Sequence, residues 1–421
     1  MKAIVLGAGL MGVTTAYYLW RDGHSVTVIE RNSEAASETS YANACLLSAS
    51  RALPWPNPSS RSMIWRALTD ATAPMRITKL FDPALWQWGG EFLSYANAKH
   101  YERLSSAKLK FANFCNDELQ TTISETAISC GYQRDGLVYV CRTEQSLAAA
   151  RERSNWVSKF GSVLNVVDRD AAVAAEPALA NANIRGASIA AKDGQGDSRL
   201  FTRELTAWLK ARGVTFQFDE TVIGIDSVGA NVRAVRSTDD TYPGDVVVAA
   251  LGPATVQFAK TIGQRMPIYP VKGFSVTVPV RNPALAPKRG GICEDTLIAY
   301  CPLDEGRRMR ITTGAVFAGF EPGRSGRFTA EDFSPHRTHF ESLFPGALAW
   351  DDVDNIEFWS CARPMTPSSL PILAAKGYDN LFWNCGQGHI GWTMSCGSAR
   401  VIADLVAGRT SSFDLTDMQR V

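Results

Sequence analysis

Apolar positions recur in two periods along the chain, and the switch between them marks the elements. Residues 2–6 (KAIVL) form an unbroken apolar run, which predicts a short buried strand. Residues 10–21 (LMGVTTAYYLWR) follow a glycine turn and read as a helix. Gly23-His24 then reverses the chain into a second strand at 25–29 (SVTVI), which ends in Glu30. This is a strand–helix–strand unit completed in about thirty residues.

From Ala52 to Tyr101 the texture changes. Pro54, Pro56 and Pro58 flank Trp55, and Trp65, Trp86 and Trp88 follow with few charges between them, so an irregular aromatic-rich insertion is expected. Leu104, Ala107, Phe111, Phe114 and Leu119 restore a helical period over 101–128. A strand at 136–141 comes next, then a helix near 144–160 and another at 199–212 behind the Asp197/Ser198 start signal. Strands are expected at 214–218, 221–225, 231–236 and 245–250. Residues 274–280 (FSVTVPV) alternate strictly and, with 296–301 and 308–313, predict an antiparallel sheet in a different layer. The end of the chain returns to α/β order: strand 380–384, a glycine loop at 386–391 and helix 392–407.

Composition narrows the function. With 43 Lys+Arg against 42 Asp+Glu, the formal charge is +1, which gives no basic footprint for nucleic acid. Apolar residues make up 45% and charged residues 20%, the proportions of a packed globular protein and not of a disordered or fibrous one, and 421 residues suggest two or three domains, long enough for an enzyme with a closed active site. No apolar run reaches the roughly 18–20 residues of a membrane span, and the N-terminal one is broken by Gly7, Gly9 and Gly12. Nine scattered cysteines without a CxxC pair argue against a disulfide framework or zinc cluster and for reduced thiols in a cytoplasmic protein. His336 and His339 have no further ligand types nearby and read as surface residues, so no metal site is expected.

The chemistry begins at Gly7-x-Gly9-x-x-Gly12. Lying between strand and helix, with Glu30 closing the next strand, it is a dinucleotide fingerprint: a tight turn, bare backbone for a pyrophosphate, and close helix packing. The helix N-terminus offers its N–H groups to the phosphates, and Glu30 suits a ribose hydroxyl, as in NAD or FAD. Two features favour flavin over NAD. The small polar run 37–45 suits a loop beside a bulky ring system. A second glycine loop, Asn384-Cys385-Gly386-Gln387-Gly388-His389-Ile390-Gly391-Trp392-Thr393, runs into a helix whose start would stabilise negative charge on a reduced flavin.

Together, GAGLMGVTTAYYLWRDGHSVTVIER, ETSYANA, DGLVYVCRTEQ, YPVKGFSVTVP, RPMTPSSLPI and NLFWNCGQGHIGWTMSCGSARVIADLVAGRT resemble the FAD-dependent D-amino-acid dehydrogenase small-subunit family of the D-amino-acid/glycine oxidase superfamily, from residue 1 to about 410. The resemblance implies an α/β plus α+β fold. A Rossmann-like FAD-binding domain would be assembled from 1–48, 150–262 and 355–421, and a substrate domain on a mixed, largely antiparallel sheet from 49–149 and 263–354. It implies FAD as cofactor and oxidative deamination of a small D-amino acid: hydride leaves Cα for flavin N5, the imino acid hydrolyses, and electrons pass to a quinone or other respiratory acceptor. Oligomers or hetero-subunits, and peripheral contact with the inner face of the cytoplasmic membrane through the Trp/Arg-rich stretch 52–76, are compatible with it.

Residue by residue, Gly7, Gly9, Gly12 and Glu30, with Leu10 and Met11 between them, match the ADP-binding part of the family, and Arg31, Ser40, Asn43 and Ala44 match the loop beside the flavin. Val222 and Gly252 resemble positions flanking the adenine. Gly388, His389, Ile390 and Gly391, with Thr393 after them, match the loop at the flavin's pyrimidine end. Arg363 in RPMTP aligns with an arginine that faces the substrate, and its fork suits a carboxylate. Lys272, Tyr269 and Tyr300 are further catalytic candidates, with a solvated strand end or core packing as the alternatives.

The chain departs from the family where Cys45 stands for Gly and Gln387 for His. It also lacks an arginine in 298–303 (IAYCPL), where many relatives hold a second carboxylate clamp; Arg307, Arg308 and Arg310 are the nearby substitutes. Without that clamp a cyclic or secondary amine, of the D-proline, hydroxy-D-proline or glycine/sarcosine type, becomes an alternative substrate. A non-catalytic flavin subunit of an electron-transfer complex is the further alternative.

Overall fold

The computed structural model describes residues 1–69, 75–320 and 329–419. The first apolar run is the strand Lys2–Leu6, near the middle of a six-stranded sheet ordered Ile372–Ala375, Leu381–Cys385, Val246–Ala249, Lys2–Leu6, Ser25–Ile29, Thr215–Gln217. All neighbours are parallel except the edge strand Ile372–Ala375. A parallel sheet is covered on both faces, which is why these strands read as unbroken apolar runs. Ala3 and Val5 pack with Val13, Ala16 and Ile402 of the helices Leu10–Arg21 and Gly391–Val406 on one side. On the other, Ile4 and Leu6 meet Val232 and Val235 from a three-stranded antiparallel sheet.

The alternating segments form a second, larger sheet. Its order is Glu357–Met365, Tyr269–Pro279, Arg308–Phe317, Ile298–Leu303, Gly291–Cys293, Leu137–Cys141, Gly186–Ala190, Asn165–Asp168, with the short Met75–Ile77 paired to Arg308–Phe317. It is antiparallel except where Gly291–Cys293 meets Leu137–Cys141 and where Met75–Ile77 joins. Its far face buries Val276, Val278, Tyr300 and Ile311 beneath Phe333 and Phe340 of the helix Ala330–Glu341. Its near face carries Thr277, Cys301 and Arg310 toward the loops of the parallel sheet.

Several expectations shift. The stretch 52–101 is not an irregular insertion: it holds the helices Ser60–Thr69 and Pro83–Ser94, while 70–74, inside the stretch read as a bilayer contact, lie outside the described residues. The second helix begins because Asp82 accepts the Ala84 N–H and Pro83 occupies the first turn, a signal masked by the surrounding tryptophans and prolines. The long helix starts earlier than expected, running Ala98–Thr126, because Asn97 caps the His100 N–H. The helix Gly391–Val406 crosses it closely at Gly397, where a Cβ would lie 2.3 Å from Cys115 Sγ. The strands Asn165–Asp168, Gly186–Ala190 and Glu357–Met365 fall within 150–262 and 355–421, yet they pair in the large sheet. Their partners are distant in sequence, so no local signal reports which sheet they join.

Candidate active site

The fingerprint glycines sit at the C-terminal edge of the parallel sheet. Gly12 has no alternative, since a Cβ there would lie 1.8 Å from the Gly7 carbonyl oxygen. At Gly7 (φ +98°) it would meet the Ala250 carbonyl at 2.8 Å. Gly9 is different: the nearest atom to a Cβ would be Ser40 Oγ at 3.5 Å, an ordinary contact, so no protein atom demands a glycine. Gly9 offers the helix that follows no side-chain cap of its own; the Leu10 N–H donates to Ser40 Oγ at 3.0 Å, and Met11 lies in the same turn. Bare backbone at a helix start is a phosphate cradle, and these residues fit a dinucleotide. Glu30 is drawn to the same point, accepting from Ala8 N–H (2.7 Å) and Asn32 N–H (2.9 Å). Gly252 (φ +54°) follows Val246–Ala249 on the adjoining loop, and Val222 opens the neighbouring antiparallel strand.

The loop after Arg31 bridges to the large sheet. Arg31 pairs with Glu38 at 2.6 Å. Thr39 Oγ1 donates to the Ala362 carbonyl at 2.8 Å, and Tyr41 stacks on Trp359 with centroids 3.9 Å apart. Asn43 Oδ1 accepts the Cys45 N–H at 2.8 Å, with Ala44 between them. Cys45 has φ +59°, the left-handed region in which a glycine would be unstrained. At the second glycine loop, Gly388 (φ +65°) passes Met365, Ile390 is buried, and Gly391 opens the helix. Thr393 Oγ1 accepts the Ser48 N–H at 3.1 Å, which fastens the two loops together. Gln387 donates to Asn384 Oδ1 at 2.6 Å, and Asn384 in turn to Thr15 Oγ1 at 2.9 Å.

Arg363 lies opposite these loops. Val271 pairs with it across the strands, and its guanidinium lies over Gly273, where a Cβ would be 2.6 Å from both terminal nitrogens. This explains the glycine of VKGFS. Its one hydrogen bond among the described residues goes to the Gly314 carbonyl, 2.9 Å away, and no carboxylate pairs with it. Desolvation pushes its pKa down to about 10, although the side chain keeps part of its accessible surface. The strand that carries it meets the second glycine loop through the bridge between Met365 and Gln387, so the unpaired guanidinium lies where the large sheet and that loop come together. His389 shares the pattern: it is partly accessible, burial holds its pKa well below the usual imidazole range, and its Nδ1 has no partner among the described residues.

The remaining candidates divide. Tyr269, on the same side of its strand as Val271, donates to Asp82 Oδ2 at 2.8 Å within a cluster of Trp88, Phe317 and Met365. Lys272 points to the other side, its ammonium 5.7 Å from the Phe274 ring centroid. Tyr300 is separated from the group: it is buried on the far face against Phe344, so its hydroxyl does not reach the cleft. Of the substitute clamps, Arg307 pairs with Glu305 and Arg308 with Glu357. Arg310 is buried on the near face, donating to Thr277 Oγ1 at 2.7 Å and toward Cys45 Sγ at 3.8 Å. His336 belongs to the helix Ala330–Glu341, and among the described residues no His/Cys/Asp/Glu cluster could hold a metal.

Residues not singled out from the sequence also border the cleft. The segment 48–55 is tied down by Asp193, which accepts from Ser50 N–H (3.0 Å), Ser50 Oγ and Tyr139 OH (3.0 Å); burial raises its pKa to about 6. Within that segment Arg51 pairs with Glu294 and covers the Tyr139 ring, while Trp55 packs on His389 with centroids 5.3 Å apart. Lys108 is 1% exposed, donates to the Leu53 carbonyl at 3.1 Å, and burial pushes its pKa down to about 7. Its signal was in the sequence, as a lysine within the apolar stripe formed by Leu104, Phe111 and Cys115.

The profile of a family described as FAD dependent oxidoreductase (DAO) matches residues 2–405. D-amino acid dehydrogenase 2 of Mesorhizobium japonicum is 36% identical over 98% of both chains. The D-amino acid dehydrogenase of Agrobacterium fabrum is 36% identical over 99% of this chain and 98% of its own. Among solved structures, glycine oxidase from Geobacillus kaustophilus superposes with a TM-score of 0.72 at 21% identity, covering 98% of this chain and 96% of that one. L-proline dehydrogenase from P. horikoshii gives 0.70 at 16%, covering 97% and 94%; both likenesses establish the fold alone. No helix among the described residues is long and apolar enough to cross a membrane. With the cradle at Gly7–Gly12, the bridging loop and the second glycine loop in place, the chain belongs to the FAD-dependent oxidoreductase (DAO) family and is a flavoenzyme with FAD as its cofactor.

Proposed function

We propose that the chain oxidatively deaminates a small D-amino acid and delivers the electrons to a quinone or another respiratory acceptor. The observation that carries the reading is the guanidinium of Arg363, half-buried, with no carboxylate partner among the described residues, on the strand that bridges to the second glycine loop. A desolvated guanidinium without a counter-ion is suited to a substrate carboxylate, which it would hold bidentately. The D-amino acid dehydrogenases at 36% identity support the same substrate class. Bound FAD supplies the two-electron acceptor for the Cα hydride. The chain's part is positional. Arg363 fixes the carboxylate, Trp55 and His389 wall the cleft, and the loop 39–48, anchored through Thr39 and Tyr41, excludes water. Loss of the Cα hydride and of a proton from nitrogen leaves an imino acid, which water converts to the keto acid and ammonia.

With Arg307 and Arg308 committed to acidic neighbours, Arg363 works without a second clamp from those positions, which keeps cyclic secondary amines such as D-proline in the test panel. Trp65, Phe81 and Trp86 are 68, 98 and 60% exposed and support contact with a bilayer surface, where quinones reside. The test is an anaerobic absorption spectrum of the holoenzyme while D-amino acids, their L counterparts, glycine, sarcosine and D-proline are added singly. D-Substrates should bleach the flavin band near about 450 nm, and a ubiquinone analogue should restore it. A flavin that no amine bleaches would refute deamination.

A further inference from the structure

The cleft holds more positive charge than one α-carboxylate needs. Arg363 takes that carboxylate in the reading above, on which this inference rests. Arg51 and Arg153 share the one carboxylate of Glu294, at 2.5 and 3.1 Å, and Arg310 lies on the sheet at Thr277 and Cys45. Two further groups have no carboxylate at all among the described residues. The Lys108 ammonium is sealed at 1% exposure and donates to a single neutral acceptor, the Leu53 carbonyl, with no carboxylate paired to it among the described residues. His389 Nδ1 is buried without a partner among the described residues. The two converge on one short segment, since Lys108 binds residue 53 and the His389 ring packs on Trp55. His389 is also within electrostatic reach of Lys108, Arg363 and Arg51.

A buried ammonium without a counter-ion is strongly disfavoured. An imidazole with a free nitrogen beside it can donate one further hydrogen bond. Both requirements are met by an anion arriving with the ligand. We propose that Lys108 and His389 form a second anion subsite, so that the preferred substrate is a dicarboxylic amine: an acidic amino acid whose side-chain carboxylate docks there while Arg363 holds the α-carboxylate. Lys108 and His389 are then specificity-determining residues rather than catalytic ones.

The experiment uses the holoenzyme and two readouts. Binding of inert acids (succinate and malonate against butyrate and propionate) is followed by perturbation of the flavin spectrum. Anaerobic flavin reduction is followed with D-aspartate, D-glutamate and iminodiacetate against D-alanine and D-proline. The dicarboxylates should bind at least tenfold tighter than the monocarboxylates, and the acidic amines should give the highest reduction rate per concentration. In Lys108→Met the ratio of dicarboxylate to monocarboxylate affinity should fall at least tenfold, with a smaller fall in His389→Asn, while Lys108→Arg should keep most of it. Flavin content and thermal midpoint verify that the variants fold. An unchanged ratio in Lys108→Met overturns the subsite, as does a shifted flavin reduction potential with selectivity intact, which would put the ammonium at the cofactor. If no amine reduces the flavin, the deamination reading fails, whereas the inert acids still decide the subsite.

Discussion

Burial of Lys108 costs the folded protein stability in proportion to the fall in its pKa. Burial takes its pKa from 10.5 to about 7. At about 1.36 kcal/mol per pH decade, the charged form is disfavoured in the folded protein by about 5 kcal/mol relative to the unfolded chain. Replacing the lysine by methionine, similar in length and apolar, removes that penalty and gives up one hydrogen bond to Leu53, worth about 1 kcal/mol. Lys108→Met should therefore stabilise the ligand-free holoenzyme by about 4 kcal/mol at pH 6. The sign with pH is fixed. A lysine whose folded-state pKa is depressed carries its full penalty below pH 7, and the penalty fades as pH rises toward 10.5, where the unfolded chain also loses its proton. At pH 9 the advantage of methionine should shrink to about 1 kcal/mol. Urea unfolding at fixed excess FAD, run on both proteins from pH 6 to pH 9, reads the difference directly. A pH-independent difference, or a methionine variant that is the less stable at pH 6, would refute the reasoning and mean that the ammonium is hydrated or paired.

Gly12→Ala places a methyl group 1.8 Å from the Gly7 carbonyl, so the helix must lift off the loop; the purified protein should contain little flavin, measured as the absorbance ratio of flavin to protein. Arg363→Ala should lower the second-order rate of flavin reduction by about 100-fold or more, the loss expected when a buried charged partner is removed, and Arg363→Lys should recover only part of it; equal rates in all three proteins would exclude the carboxylate role. At Cys45, release of the left-handed backbone offsets lost packing, so Cys45→Gly should keep its unfolding free energy within about 1 kcal/mol, whereas the β-branched Cys45→Val should lose about 2 kcal/mol or more and lower the thermal midpoint.

What could be read in the sequence was whatever has a local cause. The unit Lys2–Ile29 was legible to the residue because a continuous apolar run, three glycines and a terminal acid are contiguous signals. The helix Ser198–Lys210 announced itself through Asp197, which does accept from Arg199 and Leu200. Sheet membership was not legible, since pairs such as Leu46 with Gln195 or Met75 with Ala315 join residues far apart in sequence. Tyr300 shows the same limit at one residue: alternation puts it on one face of its strand, but only the packing of Phe344 says which face is core. Lys108 was present as an anomaly in an apolar stripe, and Trp55 and Asp193 gave no signal because their partners, His389 and Ser50 with Tyr139, lie in other segments.

The order of strands in the parallel sheet has a consequence for synthesis on the ribosome. Lys2–Leu6 needs Ser25–Ile29 on one side and Val246–Ala249 on the other, and the latter needs Leu381–Cys385. At about 5–20 residues per second, the strand made first waits roughly 12–50 s for its second neighbour. During that time a five-residue apolar edge is open to wrong pairing. Folding of this flavoenzyme should therefore depend strongly on chaperones that hold its N-terminal third, and slower translation between residues 30 and 245 should raise the yield of aggregate rather than lower it.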